Sequence, residues 1–195
     1  QTLTPSVIST SGNNAIVDWV MVELRTLTNY VVLSQCALVQ RDGDIVGLNG
    51  SSPLTLPAAH GGYHVALRHR NHLGVMTAAP VSLSGTTTTI DFASTLTSTY
   101  GAGAQKQSGS NMLLWAGDAT GNGQIRYTGS ANDRDPILIA VGSTTPNATV
   151  PNVYDRRDTN LDGVIKYTGS ANDRDIILTN VGSTTPNNTR TQQLP

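Results

Sequence analysis

The sequence is poor in the residues that build exposed helices and disulfide frameworks. Its 195 residues include two lysines (Lys106 and Lys166) and one glutamate, Glu23. Long charged side chains normally fill exposed helix surfaces, so their scarcity points to strands and loops. The single cysteine, Cys36, excludes an internal disulfide; within an apolar stretch it reads as inert packing rather than a nucleophile. Charged residues make up 13% of the chain and the formal net charge is −1, which argues against nucleic acid or an anionic membrane surface as partner. No apolar run approaches the ~20 residues of a spanning helix, so a chain with no membrane span is expected. Also missing are a G-x-S-x-G elbow, an H-E-x-x-H helix and a phosphate-cradling loop. The expectation is therefore not an enzyme. The chain opens at Gln1 without a basic and apolar leader, as a processed secreted product would.

What is abundant is Thr, Ser, Asn and Gly, and near the C-terminus they form an internal repeat. Asp118–Thr149 aligns without gaps on Asp158–Thr189, with YTGSANDRD occurring at both Tyr127–Asp135 and Tyr167–Asp175. Two copies are too few for a solenoid. A paired module, each copy covering the other's apolar face, is the better reading.

Each copy starts with a loop of oxygen-bearing side chains. The second, Asp158-Thr-Asn160-Leu-Asp162-Gly163-Val164-Ile165, fits the first eight positions of a D-x-[DN]-x-[DN]-G-x-[IV] calcium loop. Calcium takes six to eight hard oxygens, and alternating side chains around a tight turn aim at one centre, with the Val164 carbonyl as a main-chain ligand. The first copy, Asp118-Ala-Thr120-Gly-Asn122-Gly-Gln124-Ile125, keeps the leading carboxylate but has neutral Thr120 and Asn122, so weaker binding is expected there. A standard loop closes with a carboxylate at its twelfth position, here Gly129 and Gly169. A closing carboxylate must instead come from downstream: Asp133 and Asp173 are favoured, with Asp135 and Asp175 second. Two Ca2+ ions are thus expected, the second repeat being the firmer site. The plainer alternative is that these aspartates build Asx-turns and caps. Ile137–Val141 and Ile176–Val181 read as short helices, with Asn132 and Asn172 as N-caps and Gly142 and Gly182 as stops.

Ahead of the repeat, residues 14–92 carry short apolar, β-branched stretches separated by turn signals, the pattern of an antiparallel sandwich. Tyr63, Val65 and Leu67 alternate with His64, Ala66 and Arg68; Val17, Trp19 and Met21 suggest an apolar face anchored by Trp19. Residues 93–112 lack periodicity and read as a linker. Residues 1–13 read as an extended polar segment that could add a strand to a neighbouring subunit. The resulting plan is mainly β: an antiparallel Greek-key β-sandwich, then a duplicated calcium-loop and short-helix module over 113–195.

Four histidines (His60, His64, His69, His72) fall close together, but strand parity separates them and no i,i+2 pair exists, so surface or turn positions are expected rather than zinc. Arg68 and Arg70 beside them could read an anionic patch such as an acidic glycan; a solvated strand face is the plainer account. Trp115 reads as an anchor between the two parts, or as a sugar-stacking platform. Sequons at Asn49, Asn147 and Asn187 suit exposed loops that could carry sugars.

The paired loops resemble a dockerin-type module, departing from it at the twelfth position. Leu54-Thr-Leu-Pro57 followed by Gly61-Gly-Tyr-His-Val-Ala-Leu67 resembles prealbumin-like, or carboxypeptidase-regulatory-like, sandwiches. Val17–Arg25, Val39–Asp44, Ala66–Val75 and Gln193–Pro195 resemble the C-terminal region of secreted surface proteins of Bacteroidota. That resemblance implies an extracellular, cell-surface location. It also implies a calcium-stabilised structural role, as a filament or adhesin subunit self-associating into a homopolymer, with glycan contacts as an option. The alternative is a carbohydrate-binding or docking accessory module of a larger secreted enzyme.

Overall fold

The structure, a computed structural model, describes residues 2–195. The chain is mainly β, with antiparallel ladders and a few short helices. Its first half is built on strands β1 (Ile16–Arg25), β2 (Val31–Gln40), β3 (Ile45–Val46), β4 (Gly61–His69), β5 (His72–Met76) and β6 (Val81–Leu83). They lie in the order β3-β2-β1-β4-β5, with β6 on the first part of β4. Three successive strands followed by a fourth returning beside the first make a Greek key.

Register decides what is buried. Val22 pairs with Gln35 and Leu67, and Leu24 with Leu33 and Val65, so Val20, Val22, Leu24, Ala37, Val65, Leu67 and Val75 share one face and one core. Leu54, Leu56, Ala58, Ile90 and Phe92 pack over it from the second layer. Those segments join no ladder; Pro53 and Pro57 bracket Leu54–Leu56, and proline cannot donate to a ladder. The expected parity of β1 is corrected here. Val17 and Met21 are exposed, and Trp19 packs in a smaller cluster on the opposite face with Leu38, Val46 and Val7.

Val7 belongs to the N-terminal segment, which is not extended. Residues Pro5–Ile8 form helix α1, with Pro5 in its first turn, where its missing N–H costs nothing. Val7 is buried against its own chain, so the expectation that residues 1–13 are extended is corrected; Gln1 lies outside the described residues. Residues 93–112 are likewise not a free linker. Ala78 N–H donates to Ser98 O and Tyr100 N–H to Met76 O, and β7 (Lys106–Ser108) pairs with β8 (Asn111–Leu113). Backbone bonding at the sheet edge, invisible to side-chain periodicity, supplies the order.

The duplicated module contains β9 (Gln124–Arg126), α2 (Arg134–Ala140), β10 (Thr149–Pro151), β11 (Val164–Lys166), α3 (Asp173–Val181) and β12 (Thr189–Thr191). Pairing is crosswise: β10, after the first helix, pairs with β11 of the second loop, and β12 pairs with β9 of the first. The Thr128 hydroxyl donates to Asn187 Oδ1 and the Thr168 hydroxyl to Asn147 Oδ1, both at 2.7 Å. Ile125, Ile137, Val141, Ile165, Ile177 and Val181 fill the shared core. Leu73 of β5 enters it as well, joining the module to the sheet. Asn172 caps α3 by accepting from Asp175 N–H, and Asn132 Oδ1 accepts from Arg134 and Asp135 N–H at 3.2 and 3.1 Å. Gly182 closes α3 at φ 115°, a left-handed position that glycine takes without strain.

Candidate metal centre

Each repeat folds its loop around a pair of aspartates. In the first, Asp118 Oδ1 accepts from the Gly121 and Asn122 N–H groups at 2.7 and 3.0 Å, and Oδ2 from Gly123 at 2.9 Å. Asp133 arrives from the start of α2; its Oδ1 accepts from Thr120 N–H at 3.0 Å and its Oδ2 from Arg126 N–H at 2.7 Å. The Thr120 hydroxyl bridges the two, 3.3 Å from Asp118 Oδ1 and 3.0 Å from Asp133 Oδ1. Asn122 Oδ1 accepts from Gln124 N–H, which opens β9.

The second loop repeats the plan. Asp158 accepts from Asp162 and Gly163 N–H at 3.1 and 3.0 Å. Asp173 accepts from Thr159, Asn160 and Lys166 N–H at 2.7, 3.3 and 2.7 Å. Asn160 Oδ1 accepts from Asp162 N–H and Asp162 Oδ1 from Val164 N–H, both side chains turning back on their own loop.

The four loop carboxylates are deeply set: Asp133 and Asp173 are 0% exposed, Asp158 1% and Asp118 5%. Burial pushes Asp133 and Asp173 up to about 6, and the facing Asp118 and Asp158 push the same way, against the hydrogen bonds that favour the charged form. Burial raises Asp158 too. Among the described residues only Arg70, 4.0 Å from Asp158, makes an ion pair with any of them.

So the structure brings together Asp118 with Asp133 and Asp158 with Asp173, and places Thr120, Asn122, Asn160 and Asp162 around their turns. Gln124 and Val164 begin the strands that leave the loops. Asp135 and Asp175 are not brought in. Each is exposed in the first turn of its helix, and its Oδ2 accepts from Asn132 or Asn172 Nδ2 at 2.8 Å. Helix geometry sends residues two apart to different sides, which is why Asp133 and Asp173 face the loops and Asp135 and Asp175 face solvent. Among the described residues no three His, Cys, Asp or Glu side chains converge as a metal-holding group. The donor set is nevertheless oxygen throughout, the chemistry calcium takes, and the Oδ2 of each of the four aspartates accepts a single N–H and keeps a second lone pair.

A second polar cluster lies where the sheet meets the module, and sequence patterning passed it over. Asp18 Oδ1 accepts from Trp19 N–H at 2.7 Å and from the Tyr154 hydroxyl at 2.8 Å. Its Oδ2 meets Arg70 Nη1 and His69 Nε2, the latter at 3.0 Å. Burial alone would raise Asp18, but these hydrogen bonds, with the charge of His69, hold it well below the usual carboxylate range. His72 Nδ1 lies 2.8 Å from His69 Nδ1 and 2.9 Å from Asn71 Oδ1; burial, then repulsion from His69, lowers His72 to about 3. His64 Nδ1 meets Thr77 O at 2.9 Å. Of the surface or turn positions expected for the histidines, His64 is corrected, being buried within β4; His69 and His72 do flank the β4–β5 turn, with their rings turned inward on Asp18 and Asn71. The signal was the run Arg68-His-Arg-Asn-His72, too polar for a plain hairpin turn.

Asn71, 0% exposed, is the pivot of this junction. Its carbonyl accepts from Gly117 and Asp118 N–H, and its Nδ2 donates to Asp158 O at 2.6 Å. One residue of the β4–β5 turn therefore holds the first aspartate of both loops. Trp115 anchors the same region: its carbonyl accepts from Leu73 N–H, its Nε1 donates to Gly103 O at 2.9 Å, and Arg190 lies 4.3 Å from its ring centre.

No family model matches the chain, and no curated protein matches it. Among solved structures it is similar to a chain of a type II cohesin–X-dockerin complex, a C-terminal interface mutant, from Acetivibrio cellulolyticus. That match has 18% identity and a TM-score of 0.38, and covers 92% of this chain and 88% of that one. At that level it carries no argument about fold or function. Among the described residues no helix is long and apolar enough to cross a membrane.

Proposed function

We propose that this chain is a calcium-stabilised, non-catalytic attachment module of an extracellular protein, acting as a docking or carbohydrate-binding accessory unit. The observation that carries the reading is the pair of buried carboxylate couples, Asp118–Asp133 and Asp158–Asp173, related by the repeat and nearly bare of cationic side chains. Buried like charges are costly without a compensating cation. A divalent ion at each loop would offset that repulsion, and the side chains of Thr120, Asn122, Asn160 and Asp162 and the Gln124 and Val164 carbonyls are the further oxygens at hand. Its contribution would be to rigidity: it would fix the loops that Asn71 ties to the sheet. A scarcity of lysine and glutamate and an abundance of threonine, serine and asparagine support a secreted surface setting.

The test is isothermal titration of calcium into chelator-stripped chain. Two sites are expected, the second loop the tighter, with Asp133→Asn removing one and Asp173→Asn the other. Absence of binding heat and of any metal retained on dialysis would reject the proposal.

A further inference from the structure

The junction between sheet and module holds a groove bounded on one side by the first loop and on the other by the arginines of the sheet and of residues 156–157. One part, about 310 Å³, is lined by Arg68, Arg70, Arg156, His69, His72 and Asp118 among others. The adjoining part, about 670 Å³, shares Arg70 and Arg156 and adds Tyr154, Pro136 and Ala119. Both parts are open to solvent, the larger being a shallow surface depression. The first part is polar and guanidinium-rich; the second offers an aromatic ring and aliphatic carbon.

The guanidiniums that line the groove are mostly committed: Arg68 pairs with Glu23, Arg70 with Asp18 and Arg157 with Asp155. Arg156 pairs with no carboxylate among the described residues; its Nη1 donates to the Thr120 carbonyl at 3.1 Å. That bond lays it across Gly121, where a Cβ would fall 1.5 Å from Nη1, so the glycine is what admits the guanidinium. Arg70 is held against Asp18 and over the Tyr154 ring, 4.2 Å from its centre. Tyr154 is 61% exposed although its hydroxyl is fixed on Asp18. Fixed guanidiniums beside a fixed, open aromatic ring lose little freedom on binding, and a planar guanidinium matches a carboxylate or sulfate.

We propose that this groove binds an acidic sugar, its carboxylate or sulfate on Arg156 and its ring against the exposed face of Tyr154, whose other face is held by Arg70. A sugar ring has a CH face for the aromatic surface and hydroxyls for the polar wall to which Gln192 contributes. The proposal deepens the attachment reading by naming the ligand class, and it stands or falls separately from calcium occupancy of the loops.

The experiment uses the full chain with calcium present and titrates three probes: a galacturonate oligomer, a sulfated oligosaccharide and a neutral gluco-oligosaccharide, with inorganic sulfate as a competitor. Saturable binding of one or both acidic oligomers and none of the neutral one is expected. Arg156→Ala should weaken it about tenfold or more with the melting temperature unmoved. Tyr154→Ala should weaken it as much but also lower the melting temperature, because Asp18 loses the Tyr154 hydroxyl. Arg41→Ala, at a remote exposed turn, should leave binding unchanged. The proposal is overturned if no acidic oligomer binds, if Arg41→Ala weakens binding as much as Arg156→Ala, or if inorganic sulfate competes as strongly as the oligomer. Calcium binding intact in a chain that ignores acidic sugars would reject the groove and spare the metal sites.

Discussion

Removing divalent ions should reverse the way this module responds to pH. In the chelated chain Asp133 and Asp173 hold pKa values of about 6, against an ordinary 3.8. The folded form then binds protons more tightly than the unfolded form, so the contribution of these groups is full below pH 4 and is lost as pH rises through 6. Two units at about 1.4 kcal/mol each make about 3 kcal/mol per carboxylate, or about 6 kcal/mol for both. That is comparable with the whole stability of a typical domain, about 5–15 kcal/mol. His72 works in the opposite direction: with its pKa lowered to about 3, the folded chain loses stability as pH falls below the ordinary 6.5. The two effects are separated by urea unfolding of the wild type and of the Asp133→Asn/Asp173→Asn double variant, in chelator, from pH 4.5 to 7.5. The difference between the curves should grow against the wild type as pH rises. Calcium at one hundred times its dissociation constant should restore about 2.7 kcal/mol per site to the wild type at pH 7.5, and little to the double variant. Parallel curves in chelator, or a wild type indifferent to calcium at pH 7.5, would refute the reasoning.

Other consequences are simpler to check. Asn71→Ala leaves the Asp158 carbonyl and the His72 ring without their buried partner, and should cost about 2–4 kcal/mol by urea melting while weakening calcium binding at the second loop. Leu73→Ala opens a cavity in the module core from the sheet side and should cost about 2–5 kcal/mol; its effect on exchange of the Ile125 and Ile165 amides shows whether sheet and module unfold together. Thr128→Val and Thr168→Val each delete a clasp between the repeats, and their losses, about 1 kcal/mol each, should be nearly equal. Gly74→Ala places a Cβ 2.6 Å from Leu194 Cδ1, and should release residues 192–195 from the sheet to limited proteolysis.

The repeat was the most legible feature of the sequence because it needs no propensity argument: its register, its isoleucines and its glycine stops are read by alignment of the chain with itself. Which of Asp133 and Asp135 faces the loop was harder to read, since the two are neighbours in sequence; helix α2 turns Asp135 to solvent and leaves Asp133 inside. The Greek-key plan was legible in outline. The buried face of β1 was not, because Val17 and Met21 on one parity are as apolar as Val20 and Val22 on the other; pairing with β4 decides. The N-terminal turn carrying Val7 and the edge segment around Ser98 were hidden because tertiary contacts and main-chain bonds order them. The Asp18–His69–Arg70–Tyr154 cluster joins residues more than a hundred positions apart and leaves no local pattern.

Because β10 completes the opposite copy and β12 completes the first, neither copy is a self-sufficient folding unit. A chain carrying just one would keep an unfilled place beside its own loop and a spare strand to offer. Two such chains could satisfy each other reciprocally, each lending its strand to the other's loop as the two copies do within this one chain.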